Sequence, residues 1–116
     1  MIVEERTYRL VPGATARYLQ AWHRIGREPQ VRHLGEPVGV YTVEIGGLNT
    51  LVYLWRYADL TDRAHRRQAL AADAEFAAFR REVRALLARQ TNRILLPVPL
   101  SSDTAHPDRV GMPGLA

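Results

Sequence analysis

The chain predicts an α+β fold in which a four-stranded antiparallel sheet carries helices on one face. Three observations lead there. Short runs of strand-forming residues are closed by Pro-Gly, Gly-Gly and Pro signals, two intervening segments place apolar residues at helical spacing, and the elements alternate as strand, helix, strand, strand, helix, strand.

Ile2 to Val11 is rich in strand formers, and Pro12-Gly13 closes it with a turn dipeptide that also ends sheet pairing. From Ala14 to about Arg32 the residues Ala14, Tyr18, Ala21, Trp22 and Ile25 recur on one helical stripe, with Arg17, Gln20 and Arg24 directed outward. Gly26 and Pro29 are expected to end or break that helix. Glu36-Pro37 leads into a second strand over Val38 to Ile45, and Gly46-Gly47-Leu48-Asn49 supplies residues that tolerate positive φ in a hairpin to a third strand over Leu51 to Tyr57. Asp59 or Thr61 can cap a helix running to about Ala71. Asp73 can cap another, in which Phe76, Phe79, Val83, Leu86 and Leu87 form one apolar stripe. Arg89 to Val98 reads as a fourth strand stopped by Pro97 and Pro99. This order is the ferredoxin-like βαββαβ arrangement over residues 1–98, followed by an irregular tail over residues 99–116 rich in Pro, Gly, Ser and Asp.

At 116 residues the chain has room for one domain. No apolar run approaches the length of a bilayer span, and Glu4, Glu5 and Arg6 stand where a secretory signal would need an apolar stretch, so a cytoplasmic protein without membrane association is expected. The absence of cysteine removes disulfides, thiolate nucleophiles and thiolate metal sites together. All sixteen basic residues are arginine, which rules out Schiff-base catalysis by lysine. Codon usage in a GC-rich genome explains such a bias. The functional alternative is a set of guanidiniums that clamp carboxylates or phosphates bidentately. The net charge is only +4, and the arginines alternate with acids in stretches such as Arg80-Arg81-Glu82-Val83-Arg84, a solvated face rather than a nucleic-acid stripe.

Strand three raises the question of what covers the second face of the sheet. Leu51, Tyr53, Trp55 and Tyr57 share one side and Val52, Leu54 and Arg56 the other, so both sides carry large apolar groups. A bare aromatic row would forgo a few kcal/mol at about 25 cal/mol per Å². Packing of two sheets in a homodimer removes that cost, and the space between them is then a barrel interior where a small molecule can bind.

Glu4-Glu5-Arg6-Thr7-Tyr8, Pro12-Gly13, His33-Leu34-Gly35, Gly39, Glu44-Ile45-Gly46-Gly47-Leu48-Asn49, Leu54-Trp55-Arg56-Tyr57, Leu60-Thr61-Asp62-Arg63, Arg66-Arg67, Leu70 and Arg89-Gln90-Thr91-Asn92-Arg93-Ile94-Leu95 together resemble the NIPSNAP family. The likeness runs from about Ile2 to Leu96. It implies a ferredoxin-like protomer forming a dimeric α+β barrel, in a family of which many bacterial members have no established activity. The wider group of such barrels includes cofactor-free monooxygenases, isomerases, decarboxylases and haem enzymes, which favours small-molecule chemistry without choosing one. A cofactor-independent enzyme of monooxygenase, isomerase or cyclase type is therefore one reading, and a non-catalytic interaction or scaffolding dimer the other.

Serine occurs only as Ser101 and Ser102, so a serine triad has no nucleophile on the core. Of the four histidines, His65 lies among Arg66 and Arg67 on a polar surface, His106 falls in the tail, and His23 beside Trp22 reads as structural. His33 leads toward strand two and reads either as a loop-bonding histidine or as a catalytic candidate. No histidine or carboxylate spacing matches a metal motif, and neither a metal nor another cofactor is expected. Glu4, Arg6 and Tyr8 share a face of strand one. They form either a bridge at the dimer core or a site in which Arg6 anchors an anion, Tyr8 donates a proton, and Glu4 or Glu44 is a general base raised by burial. Catalytic candidates are thus Glu4, Arg6, Tyr8, His33 and Glu44, and the expected ligand contacts are Arg6, Tyr8, Tyr53, Trp55 and Tyr57. Asn49 serves the turn, Asp62 and Arg63 cap and pair at a helix start, and Arg89, Asn92 and Arg93 brace strand four or a partner subunit.

Overall fold

A computed structural model describes residues 1–101; the tail beyond Ser101 lies outside the described residues. Strand β1 spans Ile2–Leu10, β2 Gly39–Thr42, β3 Thr50–Tyr57 and β4 Leu87–Leu95, and they form one sheet in the order β2-β3-β1-β4 with every pairing antiparallel. Helices α1 (Thr15–Ala21), α2 (Arg27–Leu34), α3 (Leu60–Ala71) and α4 (Ala74–Val83) accompany it, with a 3₁₀ turn over Arg84–Leu86 before β4. This is the expected ferredoxin-like α+β architecture.

The first helical segment departs from expectation. Gly26 and Pro29 do not stop the chain, because a π-helical turn over Trp22–Gly26 joins α1 to α2 and the helical path continues to Leu34. Pro29 is the third residue of α2, in the first turn, where a missing N–H costs least. Gly26 is needed for a different reason: a Cβ there would lie 2.7 Å from the Phe79 ring, so only glycine lets this segment approach α4. The path ends at Gly35, whose φ of +81° a side chain would resist.

Both carboxylate caps form as read. Asp59 accepts from the Asp62 amide at 2.8 Å, and Asp73 accepts from the Glu75 and Phe76 amides at 2.8 and 3.1 Å. Helix α4 ends earlier than its apolar stripe suggests, so Leu86 belongs to the 3₁₀ turn and Leu87 opens β4. The pairing of β1 with β4 shifts between Arg9 and Leu10, leaving Ala88 as an extra residue. That bulge turns Leu87 to the same side as Leu10. Strand β2 is shorter than expected, and the 43–49 connection is closed by Asn49 at φ +58°. Asn49 serves more than its own turn: its Oδ1 accepts from the Gly13 amide at 3.0 Å and its carbonyl from the Leu10 amide at 2.7 Å.

The largest correction concerns the sheet faces. Leu51, Tyr53, Trp55, Tyr57 and Glu4 are fully buried and Arg6, Tyr8, Tyr18, Trp22, Phe76 and Phe79 are buried with them, so the aromatic row packs under the protomer's own helices rather than toward a second sheet. Period-two alternation sorts residues into faces but does not say which face the helices cover. The other face carries Val3, Thr7 and Arg9 on β1, Val52, Leu54 and Arg56 on β3, and Thr91 and Arg93 on β4.

Candidate functional site

The side of β1 that faces the helices brings a carboxylate, a guanidinium and a phenol into line. Glu4 is completely buried, and ion pairs and hydrogen bonds account for it. Arg6 Nη1 donates to its Oε2 at 3.0 Å, Arg63 Nη2 at 2.7 Å and Asn92 Nδ2 at 3.1 Å, while the Tyr57 hydroxyl reaches Oε1 at 3.3 Å. Arg6 in turn donates from Nε to the Tyr8 hydroxyl at 2.9 Å, and its guanidinium lies 5.8 Å from the Tyr8 ring centroid. Because the Tyr8 oxygen accepts from Arg6, its own O–H is free to point elsewhere.

The electrostatics overturn one expectation. Burial does push the Glu4 carboxyl up, but the Arg63 hydrogen bond and the charges of Arg6, Arg63 and Arg67 outweigh it and hold the group below its ordinary value. Glu4 is consequently an ionised counter-ion that orients two arginines, and a poor general base. Burial, with the neighbouring tyrosines, pushes the Tyr53 hydroxyl far up, and burial does the same to Tyr18, so both remain protonated donors.

A cavity of about 190 Å³ opens between the sheet and the helices. Arg6, Tyr8 and Tyr53 line it from the sheet, and Tyr18, Gln30, Arg67, Phe76 and Phe79 from the helices. Tyr53 anchors the aromatic wall, meeting Tyr8 edge-on at 5.5 Å and Trp22 at 5.4 Å, and stacking parallel to Trp55 at 6.1 Å. Trp22 is fixed by its indole N–H donating to Gln30 Oε1 at 2.6 Å. The Tyr53 hydroxyl and Arg67 Nη1 are buried and find no hydrogen-bond partner in the protein.

Of the residues singled out in the sequence, Arg6, Tyr8 and Tyr53 thus converge on the cavity, while Trp55 and Tyr57 lie alongside without lining it. Glu44 is exposed in the 43–49 connection and does not reach the site. Nor does His33: instead of bonding loop backbone, its Nε2 sits 2.8 Å from Asp73 Oδ2, where Arg32 also binds at 2.8 Å, tying the end of α2 to the start of α4. Asp62 and Arg63 do pair, though in different directions, Asp62 with Arg66 at 2.8 Å and Arg63 with Glu4. Arg93 braces β4 against Glu5 at 2.7 Å. The residues the sequence reading missed are Arg67, Tyr18 and Gln30. The signal for Arg67 was present, since Arg63 and Arg67 are one helical turn apart and must share a face of α3. Among the described residues no group of three or more His, Asp or Glu side chains is placed to hold a metal ion, and no helix is long and apolar enough to cross a membrane.

Comparison with known proteins agrees with this fold. Protein Atu4242 of Agrobacterium tumefaciens has a solved structure that superposes with a TM-score of 0.84 at 41% identity, covering 88% of this chain and 98% of that one. An antibiotic biosynthesis monooxygenase superposes at 0.61, covering 85% of this chain and 100% of that one, but its 15% identity speaks for the fold alone. The zebrafish (Danio rerio) protein NipSnap homolog 1 is 29% identical over 97 residues, which is 84% of this chain and 34% of the relative, so the chain spans about a third of that protein's length. The NIPSNAP family model matches residues 3–102, and the chain belongs to the NIPSNAP family.

Proposed function

We propose that this protein binds or transforms a small organic molecule in the cavity between its sheet and its helices, as a homodimer whose two sheets meet through their uncovered faces. The observation that carries the reading is the buried Tyr53 hydroxyl, partnerless on the wall of a cavity that also receives Arg6 and Tyr8. An unsatisfied buried donor costs the fold about 1–3 kcal/mol, a cost a ligand acceptor would remove.

The lining contains neither a carboxylate nor a histidine, so the cavity is better equipped to bind and polarise than to abstract a proton. Arg6 supplies a fixed positive charge and Tyr8 a hydroxyl proton, a pair suited to stabilising a developing oxyanion or enolate. Because the fold is shared with an antibiotic biosynthesis monooxygenase, oxygen chemistry without a cofactor is one class to assay. The sheet's other face, where Val52 and Leu54 stand on the side away from the helices beside Thr7 and Thr91, supports the dimer.

Native mass spectrometry of the purified protein tests both parts at once. The expected result is a dimer that carries a small-molecule adduct, or acquires one from a metabolite extract. A monomer would remove the shared interface, and a chain that stays ligand-free against the extract would remove the binding function. A non-catalytic interaction protein is the second reading, favoured by Ile45 and Leu48, which are 92% and 60% exposed in the 43–49 connection.

A further inference from the structure

The charge around the cavity is one-sided. Arg6, Arg67, Arg80 and Arg84 all line it and no acidic residue does. The single carboxylate within reach, Glu4, faces three guanidiniums, those of Arg6, Arg63 and Arg67, and its hydrogen bonds are already taken by Arg6, Arg63 and Asn92. Among the described residues Arg67, Arg80 and Arg84 have no ion-pair partner, whereas Arg63, Arg66 and Arg93 each do. An excess of positive charge beside a low-dielectric wall raises the local concentration of anions.

We infer that the ligand is a small organic anion, a monocarboxylate with an apolar body, whose carboxylate accepts hydrogen bonds from Arg67 Nη1 and the Tyr53 hydroxyl. This rests on the reading of the cavity as a ligand site. The Tyr53 hydroxyl and the Arg67 Nη1 atom are both buried without a hydrogen-bond partner, although the Arg67 guanidinium also contacts the Tyr57 hydroxyl, and Tyr53 and Arg67 line the same cavity. A carboxylate has the lone pairs to accept from both at once, and a charge-assisted hydrogen bond to guanidinium is among the stronger contacts a protein offers. The rest of the lining selects the body. Leu70, Phe76, Phe79 and Val83 form an apolar wall, which would give an inorganic anion nothing to bury against. The volume sets the scale: at about 190 Å³ the cavity falls below the roughly 300 Å³ at which pockets for drug-sized ligands begin. The exposed Arg80 and Arg84 sit at the mouth, where their charge steers an anion inward and away from neutral competitors.

Calorimetric titration of the full-length protein with monocarboxylates of about four to eight carbons, each beside its primary amide and beside inorganic phosphate at matched ionic strength, tests this inference. At least one acid is expected to bind about tenfold or more tighter than its amide, with phosphate weaker than the acid. Tyr53→Phe removes only a hydroxyl, so it keeps the fold while lowering acid affinity about tenfold. Arg67→Met keeps the apolar stem, and the acid-to-amide preference itself should collapse; a purely structural role for Arg67 would weaken acid and amide alike. Acids and amides binding equally would overturn the anion assignment and leave the cavity a ligand site. Phosphate binding as well as the best acid would overturn the organic class. No binding by any acid or amide would overturn the inference, and if native mass spectrometry also finds no adduct, the ligand-site reading falls with it.

Discussion

Glu4→Gln is the most informative single perturbation of the protein. It keeps the shape of the side chain and an oxygen for Asn92, but removes the negative charge shared by Arg6 and Arg63. Breaking a buried ion pair by removing one partner costs about 3–5 kcal/mol, because the surviving charge stays desolvated. Arg6 is held, with 9% of its side chain exposed, whereas Arg63 at 27% can turn partly to water, which places the expected loss near the lower end, about 3 kcal/mol. For a domain of this size each kcal/mol is worth roughly 4–8 °C, so the melting temperature should fall by about 12 °C or more.

Urea denaturation followed by circular dichroism measures the loss directly and should move the midpoint with the slope unchanged. The pH dependence checks the cause. The folded Glu4 carboxyl lies below its ordinary value of 4.5, so the stability it contributes is fully present above about pH 4.5 and is lost as pH falls through the lower folded value. The gap between wild type and variant should therefore be constant from pH 7 to about pH 5 and narrow below that. A loss under about 1 kcal/mol at pH 7, or a gap as wide in acid as at neutrality, would refute the ionised counter-ion assignment.

Gly26→Ala should destabilise by about 1–3 kcal/mol, measured by thermal melting, because the new methyl meets the Phe79 ring; ordinary helix propensity predicts the opposite sign, so the direction alone decides. Tyr53→Phe should leave the ligand-free protein as stable as wild type or more so by up to about 1 kcal/mol, since it deletes a buried hydroxyl without a protein partner, and a clear loss of stability would mean that hydroxyl is satisfied after all. If the protein forms the proposed dimer, Leu54→Glu on the uncovered sheet face should leave it monomeric in light scattering while preserving the far-ultraviolet spectrum; a dimer unaffected by the change would move the interface elsewhere. Asp73→Ala should lower the melting temperature more than Asp73→Asn, because asparagine can still cap α4 while alanine loses the cap together with the Arg32 and His33 contacts.

The elements whose signals are local were legible. Pro12-Gly13 ends β1, Asp59 and Asp73 start their helices, and Phe76, Phe79 and Val83 make one buried stripe, since each depends on residues a few positions apart. The passage through Gly26 and Pro29 was not legible, because the glycine there is required by the approach of Phe79, on a helix some fifty residues later, rather than by a break in the helix. For the site, Glu4, Arg6 and Tyr8 could be grouped by alternation, and their company on β3 by inference. Which side of the sheet they occupy could not be read, because Val52 and Leu54 make the opposite side apolar too. The arrival of Arg63 and Arg67 depends on how α3 sits over β1, a register that no local pattern encodes. Glu44 was grouped with the site on chemistry alone, and the hairpin carries it away.

The two walls of the cavity differ in how much they can give. Arg6 and Tyr8 stand on β1, the strand hydrogen-bonded to β3 on one side and β4 on the other along nearly its whole length, so neither can shift without moving the sheet. Opposite them, Phe76, Phe79, Arg80 and Arg84 ride on a ten-residue helix and a single 3₁₀ turn held at its start by the Asp73 knot. Substitutions on α4 can therefore reshape the cavity while leaving the β1 side intact. The β1 wall is the fixed half of this cavity, and the α4 wall, with its own two arginines, is the adjustable one.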